Sequence, residues 1–289
     1  MRYFDFHCDT LTELYNKNLT FDNSVTHVNR YTTAGFSCYR QVFAIWSDPQ
    51  YSPDEGYRRF LKITDRLEGF EIPKESMLLA VEGGGILNGK LERVEEMKKR
   101  GVYLLTLTWN GVCSVGGAFD SYDGLFEFGE KTVAECFNVG IVPDVSHASD
   151  KTFYGTVKIA EKYGKPIVAS HSNSRKIFDH KRNLTDEMFR IITELGGVVG
   201  ISAYPGHLSD GDCTAETVLR HIDHYMELGG EDTVCLGMDF DGIEKTPPDL
   251  RNPGELENLV AELDKRGYGE KYINKIFFDN ADRFVKSKT

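Results

Sequence analysis

Short apolar, β-branched runs alternate along the chain with longer amphipathic ones. The short runs predict eight strands: Tyr3–Phe6, Arg40–Ile45, Met77–Val81, Tyr103–Thr108, Ile141–Val145, Ile167–Ser170, Val198–Ser202 and Val234–Met238. Between them the spacing predicts helices over 54–69, 91–100, 129–139, 150–163, 185–195 and 214–228, with 255–266 and 270–285 after the last strand. Leu91, Val94 and Met97 recur at helical spacing with charged residues between them, so this helix has one buried face. Several helices close on a glycine just before the next strand, Gly140 and Gly164 among them, which is the usual C′ residue at a helix-to-strand junction.

Apolar strands that alternate with helices read as parallel strands buried on both faces, which is an α/β architecture. Eight such units within about 250 residues fit a (β/α)8 TIM barrel better than an open doubly wound sheet. No Pro- or Ser-rich linker divides the chain, so a single domain over residues 1–289 with C-terminal helices is expected. Gly83-Gly84-Gly85 follows the third strand but lacks the dinucleotide-binding spacing.

Composition narrows the partners. Lys and Arg number 34 against 45 Asp and Glu, a net charge of −11. This argues against nucleic acid and against an anionic membrane surface, both of which need a basic face. No run approaches the roughly 20 apolar residues that span a bilayer. The N-terminal MRYFDFHCDTL is too polar for a signal peptide. The six cysteines (Cys8, Cys38, Cys113, Cys136, Cys213 and Cys235) show no C-x-x-C spacing and are most simply free thiols in the cytoplasm.

In a barrel the chemistry sits at the C-terminal ends of the strands. Strand one ends His7-Cys8-Asp9, strand three Glu82-Gly83-Gly84, strand five Asp144-Val145-Ser146-His147, strand six Ser170-His171-Ser172, and strand eight Gly237-Met238-Asp239-Phe240-Asp241-Gly242. His7 and Asp9 are two apart on extended chain, so they share a face. Taken singly, each histidine has a bland alternative as a strand-end residue satisfied by backbone. Together His7, Asp9, Glu82, His147 and His171 offer three imidazoles and two carboxylates, a donor set suited to zinc or a similar divalent ion. Five ligands exceed one tetrahedral site, and a shared carboxylate would make it a two-metal site. Asp239 stands where it can reach water at that site. Arg182, in the loop after strand six, can grip a substrate carboxylate. The remaining histidines (His27, His180, His207, His221 and His224) are weaker candidates, and His221 and His224 read as part of a solvated helix face.

These motifs, together with Leu105-Thr106-Leu107-Thr108 and Arg182-Asn183, resemble in order the renal (membrane) dipeptidase family of zinc peptidases, over residues 7 to about 242. The resemblance implies a (β/α)8 barrel of the metal-dependent hydrolase type, two zinc ions per chain, and hydrolysis of dipeptides, including those with a D-residue at the C-terminus. It implies that His7 and Asp9 bind one zinc, His147 and His171 the other, and that Glu82 bridges them. It makes Asp239 the catalytic acid/base and Arg182 the residue that holds the substrate's C-terminal carboxylate. Mammalian members carry a substrate-contacting histidine directly after Leu-Thr-Leu-Thr. This chain has Trp109-Asn110 there, as bacterial relatives do, which makes Asn110 the substitute substrate contact. The chain shows neither a signal peptide nor a C-terminal apolar anchor, so the resemblance is to the soluble bacterial branch, with a homodimer as a compatible assembly. Rival readings are a lactamase or N-acyl amino acid deacylase on a related barrel, or a non-catalytic metal- or peptide-binding barrel. Strand four carries no lysine of the kind that bridges metals in many such relatives, which favours the Glu82-bridged type.

Overall fold

The computed structural model describes residues 1–287, so the last two residues of the expected domain lie outside the described chain. In chain order the elements are β1 (Arg2–Cys8), α1 (Thr10–Lys17), α2 (Arg30–Thr33), β2 (Cys38–Trp46), α3 (Pro53–Thr64), β3 (Met77–Glu82), α4 (Glu92–Lys99), β4 (Val102–Thr106), α5 (Glu127–Val139), β5 (Val142–Asp144), α6 (Asp150–Tyr163), α7 (Asp186–Glu194), β6 (Val199–Ile201), α8 (Ala215–Glu227), β7 (Val234–Leu236), α9 (Glu257–Arg266), α10 (Glu270–Asn274) and α11 (Asn280–Lys286). The seven strands form one parallel sheet in the order β5-β4-β3-β2-β1-β7-β6.

The sixth expected strand, Ile167–Ser170, does not form a regular ladder. Val168 bridges Asp144 on one edge of the sheet and Ala169 bridges Val199 on the other. The sheet is therefore curled until its two edges meet this segment, but each junction is a single bridge. The Val168 and Ala169 amides donate to the Pro143 and Val198 carbonyls at 3.1 Å each, and beyond them side chains take over. The Ser170 amide donates to Asp144 Oδ1 at 2.9 Å and the His171 amide to Ser146 Oγ at 3.1 Å. The Ser170 carbonyl also packs so closely on Gly200 and Gly237 that any Cβ at either position would collide with it.

The strands are buried on both sides, as their apolar runs require, and alternate residues feed two clusters. One face packs against the surrounding helices through residues such as Phe43, Val81 and Leu105, with Phe60, Val94, Phe153 and Ile222 from the helices. The other face turns inward: Phe4, Phe6, Val42, Ala44, Ala80, Leu104, Val142, Val168, Val198 and Cys235 pack together. The C-terminal helix closes this inner cluster with Phe278, Ala281, Phe284 and Val285. Residues 270–285, expected as one helix, change to a π-helical turn over Lys275–Asp279, which buries Ile276, Phe277 and Phe278 in succession. A wider turn keeps consecutive bulky side chains buried where regular helical spacing would expose one of them.

The inner floor has a measurable consequence. Phe284 is buried within it and meets Phe6 edge-on at 6.0 Å between ring centroids. Phe284→Ala should lower unfolding free energy by about 3–5 kcal/mol in urea titrations.

Candidate active site

Strict alternation along β1 would put His7 on the outer face with Tyr3 and Asp5. A bulge prevents this. Asp5 pairs with Gln41 and Cys8 with Phe43, so three steps on β1 match two on β2. An extra residue moves everything beyond it to the opposite face. The Asp5 carboxylate stabilises the irregularity by accepting the His7 amide at 3.1 Å and the Met238 amide at 3.0 Å. Phe4 and Phe6 thus face inward below the bulge, and His7 and Asp9 face inward above it.

Six of the sequence-predicted residues meet at this end of the sheet. Glu82 lies at the centre. Its Oε1 is 3.0 Å from His147 Nε2 and 3.4 Å from His171 Nε2, and its Oε2 is 3.8 Å from His7 Nε2. His7 Nε2 is 3.4 Å from Asp9 Oδ2 and 3.7 Å from Asp239 Oδ1. The His147 and His171 Nε2 atoms approach to 3.0 Å. Two groups have ligand atoms within 4.8 Å of one another: His7, Glu82 and His171, and His7, Asp9 and Asp239.

The donor set fits divalent cations. His7 Nε2 and Asp9 Oδ1 are buried without a hydrogen-bond partner. Burial, with help from Asp9, holds the Glu82 carboxyl well above its ordinary range. Burial, opposed by His7 and reinforced by Asp9, lifts Asp239 to about 7. Burial works to lower the His7 imidazole, but Glu82, Asp9 and Asp239 outweigh it and hold it up at about 10. One imidazolium thus faces three crowded carboxyls, and bound cations would supply the missing positive charge. Burial, then the His7 and Arg182 charges, push His171 well below its usual value, and burial followed by Arg182 does the same to His147. Both therefore stand as neutral imidazoles, the form that binds metal.

The backbone is strained at the same place. His147, Asp239 and Asp241 all adopt left-handed φ, at 68°, 66° and 66°. Such conformations persist only where surroundings over-determine them. At Asp241 they do: its carboxylate accepts the His27 and Val28 amides at 2.6 and 3.2 Å and the Thr10 hydroxyl at 2.6 Å.

The site opens into a cavity of about 730 Å³. Asn110 lines it, and its Oδ1 lies 3.4 Å from His147 Nδ1, so its closest polar neighbour is a candidate metal ligand. Arg182 does not line the cavity; it is 3% exposed behind the wall. Its Nη1 donates to Ser172 Oγ at 2.9 Å, while Nε and Nη2 are buried without partners. Burial lowers this guanidinium to about 10, against the pull of Asp239, Asp144 and Glu82, so it stays charged at neutral pH.

Much of the wall escaped the sequence reading. Trp46, Trp109, Phe119, Tyr204, His180 and His207 line the cavity. His180 and His207 face each other at 4.8 Å between ring centroids. The available signal was position: His180 stands two residues before Arg182, and His207 follows the strand that ends near Ser202. His221 corrects an expectation. It is fully buried rather than on a solvated face, accepting the Ser174 amide at 3.0 Å and reaching the Leu208 carbonyl at 3.0 Å. His224 is largely covered and pairs with Asp186 at 2.8 Å.

Gly242 offers a direct check on this geometry. A Cβ there would run into the Asp9 carboxylate and lie 2.6 Å from Asp239 Oδ1. Gly242→Ala should therefore weaken divalent-metal binding by about 10–100-fold in chelator competition, the range seen when ligand support is lost.

The sequence profile of the membrane dipeptidase family (peptidase family M19) matches residues 59–288. His7 and Asp9 precede that segment, and their place in the cluster rests on the geometry above. A Klebsiella pneumoniae protein described as "uncharacterized protein in pqqA 5'region" is 32% identical over 225 residues, covering 73% of this chain and 82% of that one. Mouse dipeptidase 3 is 29% identical over 224 residues, 74% of this chain but only 44% of the mouse protein. Among solved structures, a Rhodobacter sphaeroides metallopeptidase bound to a phosphinate mimic of the dipeptide L-Ala-D-Ala superposes with a TM-score of 0.88 at 23% identity, over 100% of this chain and 99% of that one. A dipeptidase described as an M19 metallopeptidase also superposes at 0.88, with 24% identity over 99% and 98% of the two chains. The extent of the profile match places this chain in the membrane dipeptidase family, peptidase family M19.

Proposed function

We propose that this chain is a binuclear zinc dipeptidase, formed by one (β/α)8-type domain along its whole length and acting on dipeptides with a free C-terminal carboxylate. The observation that carries the reading is the position of Glu82, whose two oxygens face different imidazoles: Oε1 faces His147 and His171, and Oε2 faces His7. In this reading His7 and Asp9 hold one zinc, His147 and His171 the other, and Glu82 joins them. When bound, the two ions supply Lewis acidity at the scissile carbonyl and make water a better nucleophile at neutral pH.

The chain's own residues do the rest. Asp239, 3.7 Å from His7 and on the cavity wall, takes the proton released by water and returns it to the leaving amine. Its raised pKa suits a group that must both accept and give a proton near neutrality. Arg182 holds the substrate's terminal carboxylate. Its two unpartnered N–H groups support this, since a buried guanidinium left short of acceptors is costly. Asn110 contacts the substrate from beside His147. The L-Ala-D-Ala mimic bound by the Rhodobacter structure supports tolerance of a C-terminal D-residue here. The six free cysteines support a reducing compartment, and with it the cytoplasm.

The test is a panel of L,L- and L,D-dipeptides with N-acyl amino acids, run on zinc-loaded protein. Turnover of dipeptides is expected; cleavage of the N-acyl compounds alone would reassign the activity to a deacylase. Asp239→Asn should keep two zinc ions per chain and lose about 10²–10⁴-fold in kcat. Loss of metal together with activity would make Asp239 a ligand instead, a role its distance to His7 also permits.

Arg182→Met should raise KM for free dipeptides by roughly 10- to 150-fold, the worth of a charge-assisted hydrogen bond. Their C-terminal amides, lacking the carboxylate charge, should change far less. Equal losses on acids and amides would give Arg182 a purely structural role.

A further inference from the structure

Beside the candidate metal ligands lies a further buried carboxylate, Asp144, that touches none of them directly. Asp144 is 1% exposed and accepts four hydrogen bonds. Its Oδ1 takes the Ser146 amide at 3.0 Å and the Ser170 amide at 2.9 Å. Its Oδ2 takes the Thr106 and Ser170 hydroxyls, each at 2.6 Å.

The last of these bonds fixes the direction of the next. A serine hydroxyl has one proton, and Ser170 gives it to Asp144. Toward His171 Nδ1, 2.7 Å away, Ser170 Oγ can then only accept. His171 must carry its proton on Nδ1, and its Nε2 presents a lone pair toward Glu82 Oε1 and His147 Nε2. Ser170 Oγ also lies 3.5 Å from His7 Nδ1. The hydroxyl network continues sideways: Ser146 Oγ accepts the His171 amide at 3.1 Å and lies 3.2 Å from Ser172 Oγ, which accepts from Arg182.

We propose that Asp144 and Ser170 are positioning residues for the metal centre: the carboxylate orients the serine hydroxyl, and that hydroxyl holds His171 in the tautomer and orientation that bind metal. Many metal-binding histidines are fixed by a carboxylate or carbonyl on the far ring nitrogen. Here a hydroxyl is interposed, and one buried anion reaches both the metal side of the site and, through Ser146 and Ser172, the guanidinium side. The inference rests on the metal reading given above.

Zinc affinity, measured by competition with a chromogenic chelator, tests it. Ser170→Ala removes the acceptor at Nδ1 and should weaken zinc binding by about 10–100-fold. Asp144→Asn keeps the shape of the side chain. Its amide oxygen can still serve the two backbone donors, but its NH2 would then donate into Ser170, whose freed proton would turn toward His171. A loss at least as large is expected. If either variant fails to fold, the other decides. Ser52→Ala, which removes the α3 N-cap and none of the candidate ligands or their hydrogen-bond partners, should lose stability and keep wild-type zinc affinity. A folded Ser170→Ala that binds zinc within about twofold of wild type overturns the proposal while leaving the metal reading intact. An unaltered chain that takes up no zinc overturns both.

Discussion

Charge burial at one end of the sheet is the constraint that organises this protein. Asp9, Glu82 and Asp239 lose most of their contact with water within a few ångströms of each other. Like charges in a low-dielectric interior cannot all remain ionised without compensation. The His7 imidazole is held protonated by them but cannot neutralise three carboxyls. A donor set of this kind is stable when cations occupy it, which is why the cluster reads as a metal centre before any relative is considered.

The surrounding structure keeps those groups from relaxing apart. The β1 bulge, held by Asp5, turns His7 and Asp9 inward. The left-handed turns at His147, Asp239 and Asp241 aim side chains that a regular strand end would send elsewhere. Below them lies the inner apolar cluster, floored by the C-terminal helix. Strain in the turns is offset by hydrogen bonding, as at Asp241, where two backbone amides and the Thr10 hydroxyl converge on one carboxylate. Catalytic geometry of this kind is costly locally and persists because a large, well-packed fold carries it.

A division of labour follows from the same arrangement. Side chains at the ends of β1, β3 and β5 and at His171 surround the charge cluster, while Trp46 at the end of β2 and the loops beyond the strands supply the aromatic wall. Loops tolerate change more readily than strands, so the wall is the part that can be altered without disturbing the metal ligands. Trp46 and Trp109, whose rings meet at 5.0 Å, and the His180–His207 pair stand on different sides of the His147 ring.

Much of this was legible in the residues themselves. The alternation of apolar runs determined the order of strands and helices, because parallel strands covered on both faces have no other way to look. Motifs at strand ends pointed to His7, Asp9, Glu82, His147, His171 and Asp239, since strand direction alone puts those ends on one side. Three things depended on tertiary structure. Period two cannot reveal that a bulge sends Phe6 and His7 to the same interior, because the extra residue shows only in the pairing with β2. Helical spacing cannot tell that His221 is buried, because its cover comes from Ser174 and Leu208 in other parts of the chain. Segment 167–170 has strand composition and bonds to backbone on both sides, yet at its end the Asp144 carboxylate takes the Ser170 amide and Ser146 takes the His171 amide, so the pairing stops at one bridge on each side. In each case the deciding partner is distant in sequence, and local pattern carries no information about which distant group will arrive.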